Sequence, residues 1–186
     1  DKNVVVLGGG DTAMDCVRTS IRLNAASVTC VYRRDEASMP GSRREVGNAR
    51  DEGVQFLFNH APMAIEGKDK VTGVHLQETV SKANGKSRAE FSSVQGEEKI
   101  LAADIVITAF GFRPSPASWL EQHGVTLQDG RIQISGALPF QTSQPKIFAG
   151  GDNVRGADLV VTAVHDGRDA GLAIAKWLKN GKSIQK

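Results

Sequence analysis

Residues 3–13 of the chain read NVVVLGGGDTA. The continuous β-branched and aliphatic run near its start predicts a strand that is buried on both faces, and the three glycines break that strand at once. Apolar side chains then recur at helical spacing, which predicts a helix over about residues 12–24. Residues 27–32 (SVTCVY) predict a second strand. A strand, a glycine turn, a helix and a strand within ~30 residues form a βαβ unit, in which the two strands are parallel.

The next part of the chain predicts more α/β structure, interrupted by a β-meander. A short helix is expected at about residues 43–52 and a buried third strand at 54–58. Two meander strands are expected at about 71–80 and 93–100, and a buried strand at 105–108 precedes a glycine turn. The polar segment 81–90 is expected to form a mobile surface loop. We therefore expect a Rossmann-like α/β domain with a parallel sheet and a β-meander over residues 1–113.

Residues 114–186 predict a second, smaller domain. An edge strand is expected at residues 131–134, a short buried strand at 147–149, and a turn at Gly150-Gly151-Asp152. A closing helix is expected to reach about Lys179, and its apolar side begins at Leu159 or Val160. The total of 186 residues accommodates one large or two small domains.

Composition excludes several classes of protein. The apolar fraction of 40% and the charged fraction of 24% exclude a mainly disordered chain. Lys and Arg number 23 against 21 Asp and Glu, so the net charge of +2 predicts no dedicated nucleic-acid surface, yet leaves room for a local anion site. No stretch approaches the ~20 apolar residues that cross a bilayer, so no membrane partner is expected.

Cysteine usage points to a reducing compartment. Two cysteines, Cys16 and Cys30, cannot build a disulfide framework or a four-ligand metal site alone, so we expect no bound metal and a cytoplasmic location. The chain begins at Asp1 without a methionine and enters a strand by Asn3, so we expect it to be part of a longer protein.

The glycines match a dinucleotide-binding fingerprint, Gly8-x-Gly10-x-x-Ala13, placed between a strand and a helix. Gly8 permits the tight turn, Gly10 lets the backbone approach a pyrophosphate, and Ala13 allows close packing of helix and strand. The N-terminus of the helix then presents N–H groups and a partial positive charge to the phosphates. The alternative is a glycine turn of an α/β sheet that binds nothing.

The end of the second strand carries Arg33 and Arg34. A site for NAD(H) places Asp or Glu there, about 20 residues beyond the glycines, to bind the ribose 2′-hydroxyl. Guanidinium groups form charge-assisted bonds to phosphate, whereas a carboxylate would repel it, so the pair predicts preference for NADP(H). The alternative is a solvated charge cluster that includes Asp35 and Glu36.

A second candidate site follows residues 147–149. There a glycine pair precedes Asp152, whose carboxylate could accept hydrogen bonds from a polyol or a ribose, and the dipole of the following helix could stabilise negative charge on a bound ring. The alternative is a structural turn with a helix cap.

Four stretches together resemble a known family. They are residues 4–16 (VVVLGGGDTAMDC), Tyr32-Arg33-Arg34 with the Met39-Pro40 that follows, residues 108–114 (TAFGFRP) and residues 148–171 (FAGGDNVRGADLVVTAVHDGRDAG). They resemble NADPH-dependent FAD and iron–sulfur oxidoreductases of the type of the glutamate synthase small subunit and the corresponding part of dihydropyrimidine dehydrogenase. The resemblance covers nearly the whole chain, in the same order.

The resemblance implies an NADPH-binding domain over 1–113 and, over 114–186, the C-terminal part of a FAD-binding domain. It implies binding of the NADPH pyrophosphate by the glycine turn and the helix that follows it, binding of the 2′-phosphate by the arginine pair, and an approach of the later glycine turn to the nucleotide. It further implies contact of the last segment with FAD. The implied residues are Gly8, Gly9, Gly10, Asp11, Thr12, Arg33, Arg34, Gly111, Gly151, Asp152, Leu159 and Val160.

The implied reaction is hydride transfer from NADPH to FAD, followed by electron transfer to iron–sulfur centres. Because the cofactors carry this chemistry, we expect no catalytic side chain. The first half of a FAD domain and cysteine clusters are absent from the 186 residues, so FAD and iron–sulfur clusters are expected in an upstream part or a partner catalytic subunit. The alternative function is a non-catalytic NADP-binding module that senses or docks.

Overall fold

The computed structural model describes residues 1–81 and 91–181. The expected loop over 81–90 therefore lies, apart from residue 81, outside the described residues. The chain divides into two compact units, one over Asp1–Gly111 and one that begins at Phe112. The assignment of these units to an NADPH-binding domain and part of a FAD-binding domain stays a prediction.

The first unit contains a parallel sheet, two helices and a meander. Its elements are β1 (Asn3–Leu7), α1 (Asp11–Arg22), β2 (Ser27–Val31), α2 (Arg43–Asp51), β3 (Gln55–Leu57), β4 (His60–Gly67), β5 (Val71–Ser81), β6 (Phe91–Ala102) and β7 (Ile105–Thr108). The parallel sheet has the order β3-β2-β1-β7, and β4, β5 and β6 form a separate antiparallel sheet. This α/β architecture with parallel strands and a meander confirms the expected fold class.

The parallel sheet is covered on both faces, as the apolar run of β1 predicts. Val4 and Val6 pack on one face in a core with Met14 and Val17 of α1, whereas Val5 and Leu7 face the meander. In register, Leu7 lies beside Val31 of β2 and beside Thr108 of β7. The carboxyl ends of these three strands therefore meet at one edge of the sheet.

Several predicted elements of this unit differ from the structure. The strand β4 was not expected, because Met63 and the following residues are exposed and give no burial pattern. The expected strand at 54–58 is shorter and only partly buried, since β3 lies at the edge of the sheet. Strand β7 also lies at an edge: Ile105 and Thr108 are exposed and the two residues between them are only partly buried, so the expectation of a buried strand is wrong there.

The second unit has short elements and one long helix. They are α3 (Trp119–Gln122), β8 (Leu127–Gln128), β9 (Arg131–Ile132), α4 (Asp152–Arg155) and α5 (Val160–Gly181). Asp129 and Gly130 join β8 to β9 with positive φ angles at both positions, as a two-residue hairpin turn of type I′ requires.

One expectation for the second unit is wrong, and the expected start of the last helix is found. Residues 147–149 do not form a strand, because Phe148 makes only an isolated bridge to Gln141 in a segment that folds back on itself. The last helix begins at Val160, as expected, and the start of its apolar side is open, since Leu159 and Val160 are 67% and 80% exposed in the described structure. Helical spacing identifies an apolar face but does not say whether another element covers it.

Candidate functional site

The glycine turn after β1 is shaped by contacts within the first unit. Gly8 donates its N–H to the carbonyl of Val31 at 3.0 Å and has a φ of +146°. A Cβ at Gly8 would lie 2.3 Å from the carbonyl oxygen of Ala109, and a Cβ at Gly9 would lie 2.5 Å from the ring of Tyr32. Both positions therefore require glycine for packing, whether or not a ligand is bound.

Gly10 differs because the space beside it is open. It is the N-cap of α1 and provides no side-chain cap, and the nearest atom to a Cβ there would be Cγ of Pro40, at 4.0 Å. The first residues of the helix, Asp11 and Thr12, are exposed. An uncapped helix N-terminus beside an open glycine is a suitable place for an anion.

The backbone that carries the arginine pair is fixed from two sides. Thr79 donates its hydroxyl to the carbonyl of Arg33 at 2.6 Å, and Asn59 donates its N–H to the carbonyl of Arg34 at 3.0 Å. Because Val31 is in register with Leu7, the residues that follow β2 start beside the glycine turn. Arg33 is exposed and Arg34 is half-buried at the same edge of the sheet as Gly10.

The acidic residues that follow the arginines have other partners. Asp35 accepts a hydrogen bond from the N–H of Ser38 at 2.8 Å, and hydrogen bonding from the side chain and then the backbone of Ser38 holds the pKa of Asp35 below its usual value, with Arg34 a smaller cause. Glu36 pairs with Arg50 at 2.7 Å. These contacts weaken the alternative in which the arginines serve only to neutralise Asp35 and Glu36.

The turn after β7 lies on the other side of Gly8. Ala109 donates its N–H to Leu7 at 2.8 Å, and Gly111 adopts a φ of +79° with no atom within 4 Å of its Cβ position. Gly8 thus lies between the chain that leaves β2 and the chain that leaves β7. In open α/β sheets this switch in strand order marks the crevice where ligands bind.

In the second unit, Asp166 organises the other glycine turn. Gly151 has a φ of +69° and donates its N–H to Oδ2 of Asp166 at 3.0 Å. Arg155 donates to both carboxylate oxygens of Asp166, from Nε and Nη2 at 2.7 Å each. These bonds, with Arg155 the larger cause, lower the pKa of Asp166 to about 2.

Arg155 and Asp166 are absent from the residues predicted from sequence. The available signal was an acidic residue within a stripe of small residues at helical spacing, formed by Ala163, Asp166, Ala170 and Ala173. Asp166 is only 1% exposed, and a carboxylate buried to this degree requires such partners.

A groove of about 530 Å³ runs along the start of α5. Three predicted residues, Gly151, Asp152 and Val160, line it together with Ala163, and Leu159 does not. Asp152 is exposed at the start of α4. The groove therefore combines an apolar helix face with two carboxylates, those of Asp152 and Asp158, which can accept hydrogen bonds from hydroxyl groups.

The described part of the chain lacks two further features. No group of three or more His, Cys, Asp or Glu in residues 1–81 and 91–181 could hold a metal ion. None of the helices in the described part of the chain is long and apolar enough to cross a membrane.

Comparison with known proteins confirms the resemblance seen in the sequence. Two proteins named glutamate synthase [NADPH] small chain, from Halomonas elongata and Escherichia coli, are each 57% identical to the chain and cover 95% and 96% of it. The chain spans 38% and 39% of their lengths. The crystal structure of T. acidophilum thioredoxin reductase matches with a TM-score of 0.76 and 25% identity, over 96% of this chain and 53% of that one. The family described as pyridine nucleotide-disulphide oxidoreductase matches residues 1–167, and the chain belongs to that family.

Proposed function

We propose that the first unit binds NADP(H) in preference to NAD(H), and that it does so as part of a longer NADPH-dependent flavin oxidoreductase. In that protein, electrons pass from NADPH to FAD and on to iron–sulfur centres in an upstream part or a partner subunit. The names of the two 57% identical relatives support the choice of nucleotide.

The observation that carries this proposal is the position of Arg33 and Arg34. They follow β2 directly, at the edge of the sheet where Gly10 and the N-terminus of α1 lie. A dinucleotide whose pyrophosphate lies at the helix N-terminus extends its adenosine ribose toward the end of the second strand. Two guanidinium groups there favour a 2′-phosphate over a 2′-hydroxyl.

The described residues fit NADP(H). Ala109 and Tyr32 leave no room for side chains at Gly8 and Gly9, so the backbone of the turn is bare. Gly10 keeps the helix N-terminus accessible. In this proposal, the N–H groups of Asp11 and Thr12 face the pyrophosphate, and the Gly111 turn approaches the nucleotide from β7.

The second unit is proposed to supply part of a FAD site. Asp152 would accept hydrogen bonds from the ribityl or phosphate region, Gly151 would keep the turn open, and the backbone near Leu159 and Val160 would face the pyrimidine side of the ring. The bound cofactors supply hydride transfer from nicotinamide C4 to flavin N5. No described side chain has to move a proton for that step, so the work of this chain is alignment.

Titration of the 186-residue chain with NADPH and NADH tests the choice of nucleotide. We expect at least about tenfold tighter binding of NADPH, and substitution of Arg33 and Arg34 by alanine should remove that preference while leaving NADH affinity nearly unchanged. Lys68→Ala with Lys70→Ala, which removes two exposed charges on the β4–β5 turn, is the matched control. Equal affinities of the unaltered chain for the two nucleotides would contradict the proposal.

A second measurement separates the reductase from a module that only senses or docks. In the longer protein, NADPH added without oxygen should bleach the absorbance of oxidised flavin, whereas a sensing module would bind NADPH without that change. The 186-residue chain alone should purify without stoichiometric flavin. A yellow, fully flavin-loaded preparation of the short chain would show that its own residues suffice to hold FAD.

A further inference from the structure

Residues 38–42, here called the strap, are held by three hydrogen bonds, one to Tyr32 after β2, one to Gly9 in the glycine turn and one to Asp11 at the start of α1. The hydroxyl of Tyr32 donates to the carbonyl of Ser38 at 2.8 Å. The N–H of Gly41 donates to the carbonyl of Gly9 at 2.9 Å. The N–H of Ser42 donates to Oδ1 of Asp11 at 3.0 Å. The last bond is the only one of the three that uses a charged acceptor.

The strap lies directly on the turn. A Cβ added to Gly41 would be 3.1 Å from the carbonyl oxygen of Gly9 and 3.4 Å from Cγ of Met14. Pro40 provides the atom nearest to the open side of Gly10. The strap therefore forms the wall of the space beside the N-terminus of α1.

Asp11 accepts the hydrogen bond from the N–H of Ser42, the N-cap residue of α2, which no side chain of α2 accepts. Ser42 caps α2 by accepting a hydrogen bond from the N–H of Glu45 at 3.3 Å. In a capping box, the Glu side chain returns the bond by accepting from the N–H of the cap residue. Here the Glu45 carboxylate pairs instead with Arg18, and the carboxylate of Asp11 accepts from Ser42.

We propose that Asp11 is a positioning residue for the nucleotide site, and that it acts by holding the strap rather than by touching the pyrophosphate. This inference rests on the proposed NADP(H) function and deepens it. A carboxylate turned toward a pyrophosphate would repel it, whereas one bonded to Ser42 fixes the wall beside Gly10 and leaves the N–H groups of α1 for the anion. Asp11 thus contributes to the site by holding the strap in the position where it forms the wall beside Gly10.

The test compares Asp11→Ala, Asp11→Asn and, as a control, Asp15→Asn. Asn keeps an oxygen acceptor for Ser42 but removes the charge, and Asp15 is an exposed carboxylate one turn further along α1. Two readouts are taken: the Kd for NADP⁺, and, without nucleotide, the rate of tryptic cleavage after Arg43 and Arg44, which directly follow the strap. Thermal unfolding checks that each variant is folded.

We expect Asp11→Ala to weaken NADP⁺ binding about tenfold, because the strap loses the hydrogen bond that places it beside Gly10, and to accelerate cleavage several-fold. Asp11→Asn should recover most of the affinity and most of the protection from trypsin. Asp15→Asn should change neither.

Two outcomes would overturn the positioning role. One is tighter NADP⁺ binding by both Asp11→Ala and Asp11→Asn, which would show that the carboxylate acts on the pyrophosphate directly, by repelling it. The other is faster cleavage in Asp11→Ala with unchanged affinity, which would show that the strap does not matter for binding. If the unaltered chain binds no nucleotide, the proposed function fails and this role fails with it, while the cleavage rates still report whether Asp11 holds the strap.

Discussion

Arg155 donates two hydrogen bonds of 2.7 Å to the carboxylate of Asp166, and the same carboxylate accepts a hydrogen bond from the N–H of Gly151. One buried charge on α5 therefore fixes α4 and the turn that precedes it. The pair itself is weak evidence for net stability, because burying the Asp166 carboxylate is costly, while the Arg155 side chain stays 50% exposed. Removing one partner should destabilise the protein. Without Asp166, Arg155 and the N–H of Gly151 lose their acceptor, and without Arg155 the buried carboxylate loses its charged donor.

Replacing Asp166 by Ala should clearly lower the midpoint of thermal unfolding. The substitution leaves the guanidinium of Arg155 and the N–H of Gly151 without their acceptor. Asp169→Asn is the matched control, because Asp169 lies one turn further on the same helix in a more exposed pair with Arg168. Differential scanning calorimetry of the three proteins measures the effect, and equal midpoints for Asp166→Ala and Asp169→Asn would contradict the structural role of Asp166.

The stability of the protein should fall as the solution becomes acidic below about pH 4. The pKa of Asp166 is lowered to about 2, with Arg155 the main cause, and the pKa of Glu52 is lowered to about 2 by Arg18 and Arg22. Both values lie below those of the unfolded chain, at about 3.9 for Asp and 4.3 for Glu, so the stabilisation is present above the unfolded values and is lost as pH falls toward 2.

Thermal unfolding between pH 6 and pH 2 measures this dependence. In Glu52→Gln the decline should be shallower, because one of the two carboxyls no longer changes its proton affinity on folding. A variant with the same pH profile as the unaltered chain would show that Glu52 does not contribute.

Alanine substitutions at two glycines of the first unit should have opposite effects. Gly8→Ala should destabilise the unit by about 3 kcal/mol or more, because a Cβ there would lie 2.3 Å from the carbonyl oxygen of Ala109 and φ is +146°. Gly47→Ala should stabilise it by about 0.5–1 kcal/mol, because Gly47 lies within α2 with nothing within 4 Å of its Cβ position. Urea unfolding measures both, and a neutral Gly8→Ala would refute the packing of the turn.

Cys30 should resist alkylation in the folded protein. Burial raises the pKa of its thiol to about 12, and the thiol donates a hydrogen bond to the carbonyl of Gly8 at 3.3 Å. At pH 8 its reaction with iodoacetamide should be at least about a hundredfold slower than in concentrated urea. Mass spectrometry of the peptide that contains Cys30 gives the rate, and the half-buried Cys16 serves as the internal comparison. Equal labelling of Cys30 in the folded and unfolded chain would contradict its burial.

Much of the first unit was predictable because its signals are local. The apolar run of β1, the glycines after it and the helical spacing of α1 each involve neighbours in sequence, and the strand, turn and helix form where expected. Strands β3 and β4 were less predictable. Their burial depends on which strand lies at the sheet edge and which residues another layer covers, and neither is a property of the segment itself.

The sequence by itself determined the βαβ unit, the family and the residues that point to an NADP(H) site, because residue type and spacing along one strand, turn and helix carry that information. Only the tertiary structure decided that Asp11 bonds to Ser42 and that Asp166 bonds to Gly151 and Arg155. These partners are 31, 15 and 11 residues apart. A carboxylate chooses among many possible donors by the geometry of the folded backbone, and that geometry exists only after distant segments have packed together.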